Sequence, residues 1–266
     1  MINPLPKTWQ YYLLRIGSVS KGLVYVLMGL FCLGTVIGIA SSTGGPQETI
    51  RWLGQNPYGQ VVYVLLGAGI GSYALWRLYR GIFDTGKRGS SAGGLFIRLN
   101  DLVVALAYGG LSFYAFRRLF TAREGGEIRE DALQILLGWP YGDYLIYGIA
   151  LATVGAGVNA IYIAWTDAHM LDISDWDLTE GQEAFYNRLG SVGLVGVALV
   201  YFIMAWSLYR VGRLHWAEEF RGVGESLSYL EGWGLGFFLM AITGVGLLAY
   251  GLFMFFCARY EYIERD

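Results

Sequence analysis

Six apolar runs set the pattern of this chain, at 22–40, 60–82, 102–120, 144–165, 193–209 and 234–258. Each is close to the roughly 17 to 25 residues that a helix needs to cross a hydrocarbon core about 30 Å thick. Single runs of this kind also occur as buried helices of large soluble proteins, but six cannot all be interior in a chain of 266 residues. The pattern therefore predicts six transmembrane helices. The first run has Lys7, Arg15 and Lys21 ahead of it and Ala40-Ser41-Ser42 after it, as a signal peptide would. It is longer than the apolar core of about 7 to 15 residues that a signal peptide carries, so it reads as a membrane span.

The polar positions repeat. Arg15-Ile16-Gly17-Ser18, Arg98-Leu99-Asn100-Asp101 and Arg188-Leu189-Gly190-Ser191 each lead into an apolar run, their arginines 83 and 90 residues apart. A second landmark keeps step: in Pro57-Tyr58-Gly59 and Pro140-Tyr141-Gly142 the glycine lies 44 residues after the arginine of its unit. In the third unit it has decayed to Gly232-Trp233-Gly234-Leu235-Gly236. A third landmark links Gly67-Ala68-Gly69-Ile70-Gly71-Ser72-Tyr73-Ala74-Leu75 with Gly244-Val245-Gly246-Leu247-Leu248-Ala249-Tyr250-Gly251-Leu252. Internal periodicity of this kind marks tandem units. Each unit holds two crossings, so all three enter the membrane from the same side, as parallel repeats about an axis along the membrane normal.

The arginine-led starts, together with Ala249-Tyr250-Gly251-Leu252-Phe253 through Ala258-Arg259-Tyr260, resemble a bacterial membrane family known as domain of unknown function 1206, built from three tandem two-helix repeats. The resemblance runs from Leu14 to Tyr260. It implies a fold, a topology and residence in a bacterial inner membrane, and it carries no activity. The expected fold is an all-α membrane protein: six transmembrane helices as three parallel two-helix repeats with pseudo-threefold symmetry. It forms a single membrane domain over 1–266, with repeats at 14–82, 97–166 and 187–260.

Composition agrees with membrane residence. The chain is 55% hydrophobic and 15% charged, where a soluble domain averages about 25% charged. Lys and Arg divide eleven to eight between alternate connecting segments, which favours a multi-pass topology with both termini in the cytoplasm. Cys32 and Cys257 fall inside apolar runs and read as small core residues rather than a disulfide or metal site. Thirty-nine glycines, many of them mid-helix and some four apart, as in Gly34 with Gly38 and Gly67 with Gly71, predict close helix packing. Trp and Tyr gather near the run ends, where their rings suit the headgroup layer. The stretches 47–53 and 132–137 mix polar and apolar residues and end in glycine and proline, which predicts short interfacial helices on the outer face.

Charge at membrane depth marks function by default, and here it is scarce. Lys21, Arg98 and Asp101 read as helix starts, Arg77 and Arg80 as the end of the second helix, Arg117 and Arg118 as the end of the third. Arg15, Arg98 and Arg188, one per repeat, are candidates for binding lipid or another anion, since guanidinium geometry suits phosphate. Asn159, Thr153 and Ser72 are the candidate polar side chains of the bundle interior. An acidic connection with Asp167, His169, Asp172, Asp175 and Asp177 lacks the spacing of a calcium loop and reads as a partner contact. No nucleophile elbow, phosphate-binding glycine loop, Cys-x-x-Cys or His-x-x-x-His motif occurs, and nothing suggests nucleic-acid recognition.

These features predict a non-enzymatic accessory, scaffold or lipid-interacting subunit with no cofactor, catalytic residue or metal. Its partners would be membrane lipids and a heteromeric membrane protein. The alternative is a small channel or transporter along the pseudo-threefold axis. An interfacial lipid enzyme would need Asp101, Asp143 or the loop acids gathered in one cleft.

Overall fold

A computed structural model describes residues 8–39, 46–54, 58–84, 89–120, 133–170, 178–215 and 236–260. They form α1 (Thr8–Val36), α2 (Pro46–Gly54), α3 (Gly59–Phe83), α4 (Ala92–Arg117), α5 (133–137), α6 (Gly142–Trp165), α7 (Glu180–Leu214) and α8 (Gly236–Tyr260), with a 3-10 turn at Ala168–Met170. Among the described residues there is no strand. Six helices, α1, α3, α4, α6, α7 and α8, are long and apolar enough to cross a membrane. The protein is an all-α membrane protein.

Helix limits follow capping chemistry more closely than hydropathy. The fifth apolar run begins at Gly193, yet α7 begins at Glu180 and has 35 residues, about 52 Å at 1.5 Å per residue. Its start is a capping box: Thr179 Oγ1 accepts from the Gln182 N–H at 3.4 Å, and Gln182 Oε1 accepts from the Thr179 N–H at 3.1 Å. Glu180 and Glu183 place negative charge at the positive end of the helix. At α4, Ser91 Oγ accepts from the Gly94 N–H at 3.2 Å. Gly38, expected within a helix, lies past the end of α1 with φ +74.

The strongest seams run between units rather than within them. α3 lies along α4, α6 along α7, and α8 returns along α1, so each unit's second helix joins the next unit's first. Within units, α1 packs on α3 and α7 on α8, less extensively. In both, a tyrosine backbone lies against a glycine. A Cβ on Gly17 would stand 2.7 Å from Tyr73 backbone atoms, and one on Gly193 would stand 2.6 Å from those of Tyr250. α4 and α6 form no comparable seam and bury the least of their surface.

The expected short helices exist as α2 and α5. α2 is more than an outer-face helix, because Thr49 and Ile50 are fully buried and it packs on α1, α3 and α4. The Trp52 ring meets Phe31 edge-on, 5.4 Å between centroids. The interior of the bundle is filled by side chains, among them Met28, Leu66, Ile70, Val197, Val200 and Leu247.

Candidate functional site

Lys21 and Asp101 do not stand at the bundle surface as their helix-start positions suggest. They are 6% and 1% exposed, so the interior is not free of charge. Lys21 extends from α1 between α3, α4 and α8 and donates from Nζ to the Tyr250 hydroxyl at 2.9 Å and the Tyr73 hydroxyl at 3.2 Å. The same nitrogen lies 4.7, 5.0, 5.2 and 5.8 Å from the ring centres of Tyr73, Tyr250, Tyr108 and Tyr25. The negative faces of aromatic rings attract a cation at this range. Tyr25 and Tyr108 share a hydrogen bond of 3.2 Å between hydroxyls.

The Tyr73 hydroxyl also accepts from Arg77 Nε at 2.9 Å and Nη2 at 2.7 Å. Arg77 Nη1 reaches Asp101 Oδ1 at 2.5 Å, and Arg80 donates to both oxygens of the same carboxylate at 2.8 and 3.0 Å. One chain of hydrogen bonds thus ties α8, α1, α3 and α4 together across two unit boundaries. Both carboxylate oxygens are engaged by guanidinium groups, the strong class of hydrogen bond. The cluster lies within the bundle, and each of its charged groups is bonded to side chains of the same cluster.

The three repeat-start arginines fare differently. Arg15 Nη2 donates to Arg259 O at 2.9 Å, at the end of α8. Arg98 donates from Nε to Gly81 O and from Nη2 to Ile82 O, both at 3.0 Å, at the end of α3. Both cap carbonyls that a helix end leaves without partners, and both put positive charge at the negative end of the dipole. At the third boundary other side chains do this work. Ser191 Oγ donates to Ala164 O at 3.2 Å, and His169 sets Nδ1 3.3 Å from Ile163 O and Nε2 3.1 Å from Asn187 O. Either tautomer of His169 donates once. Arg188 is left exposed, with no hydrogen bond or ion pair among the described residues.

One turn along α7 from Arg188, from Ser191 onward, a groove of about 530 Å³ opens on the outside of the bundle. Its floor is α7, at Ser191, Val192, Val195 and Gly196; Trp165 of α6 and Ile242 of α8 stand on its walls. The lining is apolar apart from the Ser191 hydroxyl and the indole N–H of Trp165.

The remaining predicted side chains stay apart from these features. Ser72 and Thr153 donate to Ala68 O and Ile149 O of their own helices, both at 2.8 Å. Asn159 is half-buried on α6. Asp167 stands in a turn with φ 53, next to His169, while Asp172, Asp175 and Asp177 lie outside the described residues. Asp143 pairs with His215 at 2.7 Å, at the end of the bundle opposite Asp101, so those two acids share no cleft.

The four tyrosines whose rings surround Lys21, Tyr25, Tyr73, Tyr108 and Tyr250, are what sequence reasoning missed. The signal was present in the repeat register. Tyr25 and Tyr108 each stand ten residues after their unit's arginine, and Tyr73 and Tyr250 each stand six after the first glycine of the matching Gly-x-Gly stretches.

Comparison with known proteins follows the same three-part division. The family model Domain of Unknown Function (DUF1206) matches three times, at residues 16–84, 102–167 and 192–261. An uncharacterized protein of Bacillus subtilis (strain 168), YxxB, is 23% identical over 265 residues, covering 98% of this chain and 94% of that one. No solved structure matches. Each match spans one pair of membrane-length helices, and together they cover most of the chain: the protein belongs to the family Domain of Unknown Function (DUF1206) and is built as three tandem two-helix membrane repeats.

Proposed function

We propose that this is a non-enzymatic, lipid-interacting protein of the bacterial inner membrane, with both termini in the cytoplasm. The observation that carries the reading is the groove on α7. It is apolar, it faces away from the packed axis, and its walls are two helices that meet α7 but form no extensive seam with each other. An acyl chain fits such a recess, gaining dispersion contacts that a flat helix face would not offer. The packed interior supports the channel alternative poorly, because the Lys21 cluster and its tyrosines are packed there.

The test is native mass spectrometry of the full chain extracted gently from its own membrane. Wild type is expected to retain phospholipid through delipidation, and Val195→Trp, which places an indole on the groove floor, is expected to lose it. A wild-type chain that releases all its lipid, or a variant that keeps the same complement, overturns the proposal. The same spectra address a heteromeric partner, a second reading favoured by the outward faces of α4 and α6, which bury the least of their surface among the described helices. That reading expects an additional protein mass.

A further inference from the structure

We infer that the groove seats one lipid class, an anionic phospholipid, and that the guanidinium of Arg188 holds its phosphate; this rests on the lipid reading of the groove. Arg188, Val192 and Val195 fall at i, i+4 and i+7 on α7, one stripe of the helix surface. All three are exposed, and the two valines line the groove. The stripe thus passes from a cation at one end of the membrane-spanning part of α7 to a bare apolar floor, the order of groups along a phospholipid. Side chains on a helix lean toward its N-terminus. For Arg188 that direction leads away from the bilayer centre, toward the headgroup layer.

The repeat itself singles out this residue. At the other two boundaries the equivalent arginine is committed to the carbonyl ends of the neighbouring helix. At the third, Ser191 and His169 bind Ala164 O and Ile163 O instead. An arginine released from the structural duty of its counterparts, one helical turn from the Val192 that lines the recess, suits a phosphate, which it can meet with two parallel N–H donors. Trp165, 87% exposed on the groove wall, adds an indole of the kind that settles at headgroup level.

The full chain would be reconstituted with equal amounts of phosphatidylglycerol and phosphatidylcholine of identical acyl chains, and the retained lipid counted by native mass spectrometry. Wild type is expected to favour phosphatidylglycerol by roughly tenfold, as one charge-assisted contact allows. Arg188→Gln is expected to bring the ratio close to one while total retained lipid persists, whereas Val195→Trp lowers both lipids together. An unchanged ratio in Arg188→Gln, alongside lipid loss in Val195→Trp, overturns the headgroup assignment and leaves the groove reading standing. Retention of both lipids by Val195→Trp overturns both. Inorganic phosphate is expected to leave the bound phosphatidylglycerol in place, and its displacement would overturn the assignment of a lipid rather than a free anion.

Discussion

Asp101 carries the charge balance of the buried cluster, since Arg77 and Arg80 both bind its carboxylate. Removing one partner from a buried ionic group strands the others, at about 3 to 5 kcal/mol. Lys21 is a different case: its partners are hydroxyls and ring faces, so Lys21→Met trades lost hydrogen bonds against the removal of a buried ammonium of similar volume. Asp101→Asn is therefore expected to lower the thermal midpoint in detergent far more than Lys21→Met, which should stay within about 1 kcal/mol of wild type. Equal losses would show that the ammonium holds the cluster as much as the carboxylate does. Sequence alone could name Lys21, Arg77, Arg80 and Asp101 but not gather them. Arg77, Arg80 and Asp101 sit within three turns of a helix end and Lys21 just ahead of the first apolar run, where hydropathy cannot separate a side chain bound for water from one turned toward the interior.

At the scale of the helix, the six crossings were legible because their apolar runs are long and uninterrupted, whereas which helices pair was not. Glycine content announced close packing without naming partners. Gly67 and Gly71 meet Phe116 and Ser112 of α4, with Ser112 Oγ donating to Gly67 O at 2.7 Å, while at Gly110, Gly148 and Gly155 an added Cβ would find nothing within 4 Å. The contrast predicts opposite outcomes for one substitution. Gly193→Ala pushes a methyl group into the Tyr250 backbone and is expected to destabilise by about 1 to 3 kcal/mol, as overpacking does. Gly155→Ala is expected to be neutral, or better by up to about 1 kcal/mol from helix propensity. Thermal unfolding of the two variants side by side checks this, and a loss at Gly155 as large as that at Gly193 would contradict the seam assignment. The length of α7 was legible in Thr179 and Gln182, three residues apart, but hydropathy alone stopped at the apolar run.

For the whole molecule, the six membrane-length helices among the described residues lead to the expectation that both ends lie on one side. Reporter tags at the two termini are expected to be shielded from a membrane-impermeant reagent in intact cells and to react after permeabilisation; labelling of either tag in intact cells would reverse the inferred orientation. The native thiols are a silent background for such labelling, because Cys32 and Cys257 are both buried. The order of the seams has a further consequence, one of timing. During synthesis α1 leaves the ribosome first, yet the helix it lies against most extensively, α8, leaves last. Until then Gly22 and Gly29, which meet Gly251 and Leu248 of α8 in the finished protein, face lipid with nothing to pack on. The final helix is the latch, and a nascent chain interrupted anywhere before it carries an open flank that the membrane's quality-control proteases can read as unfinished.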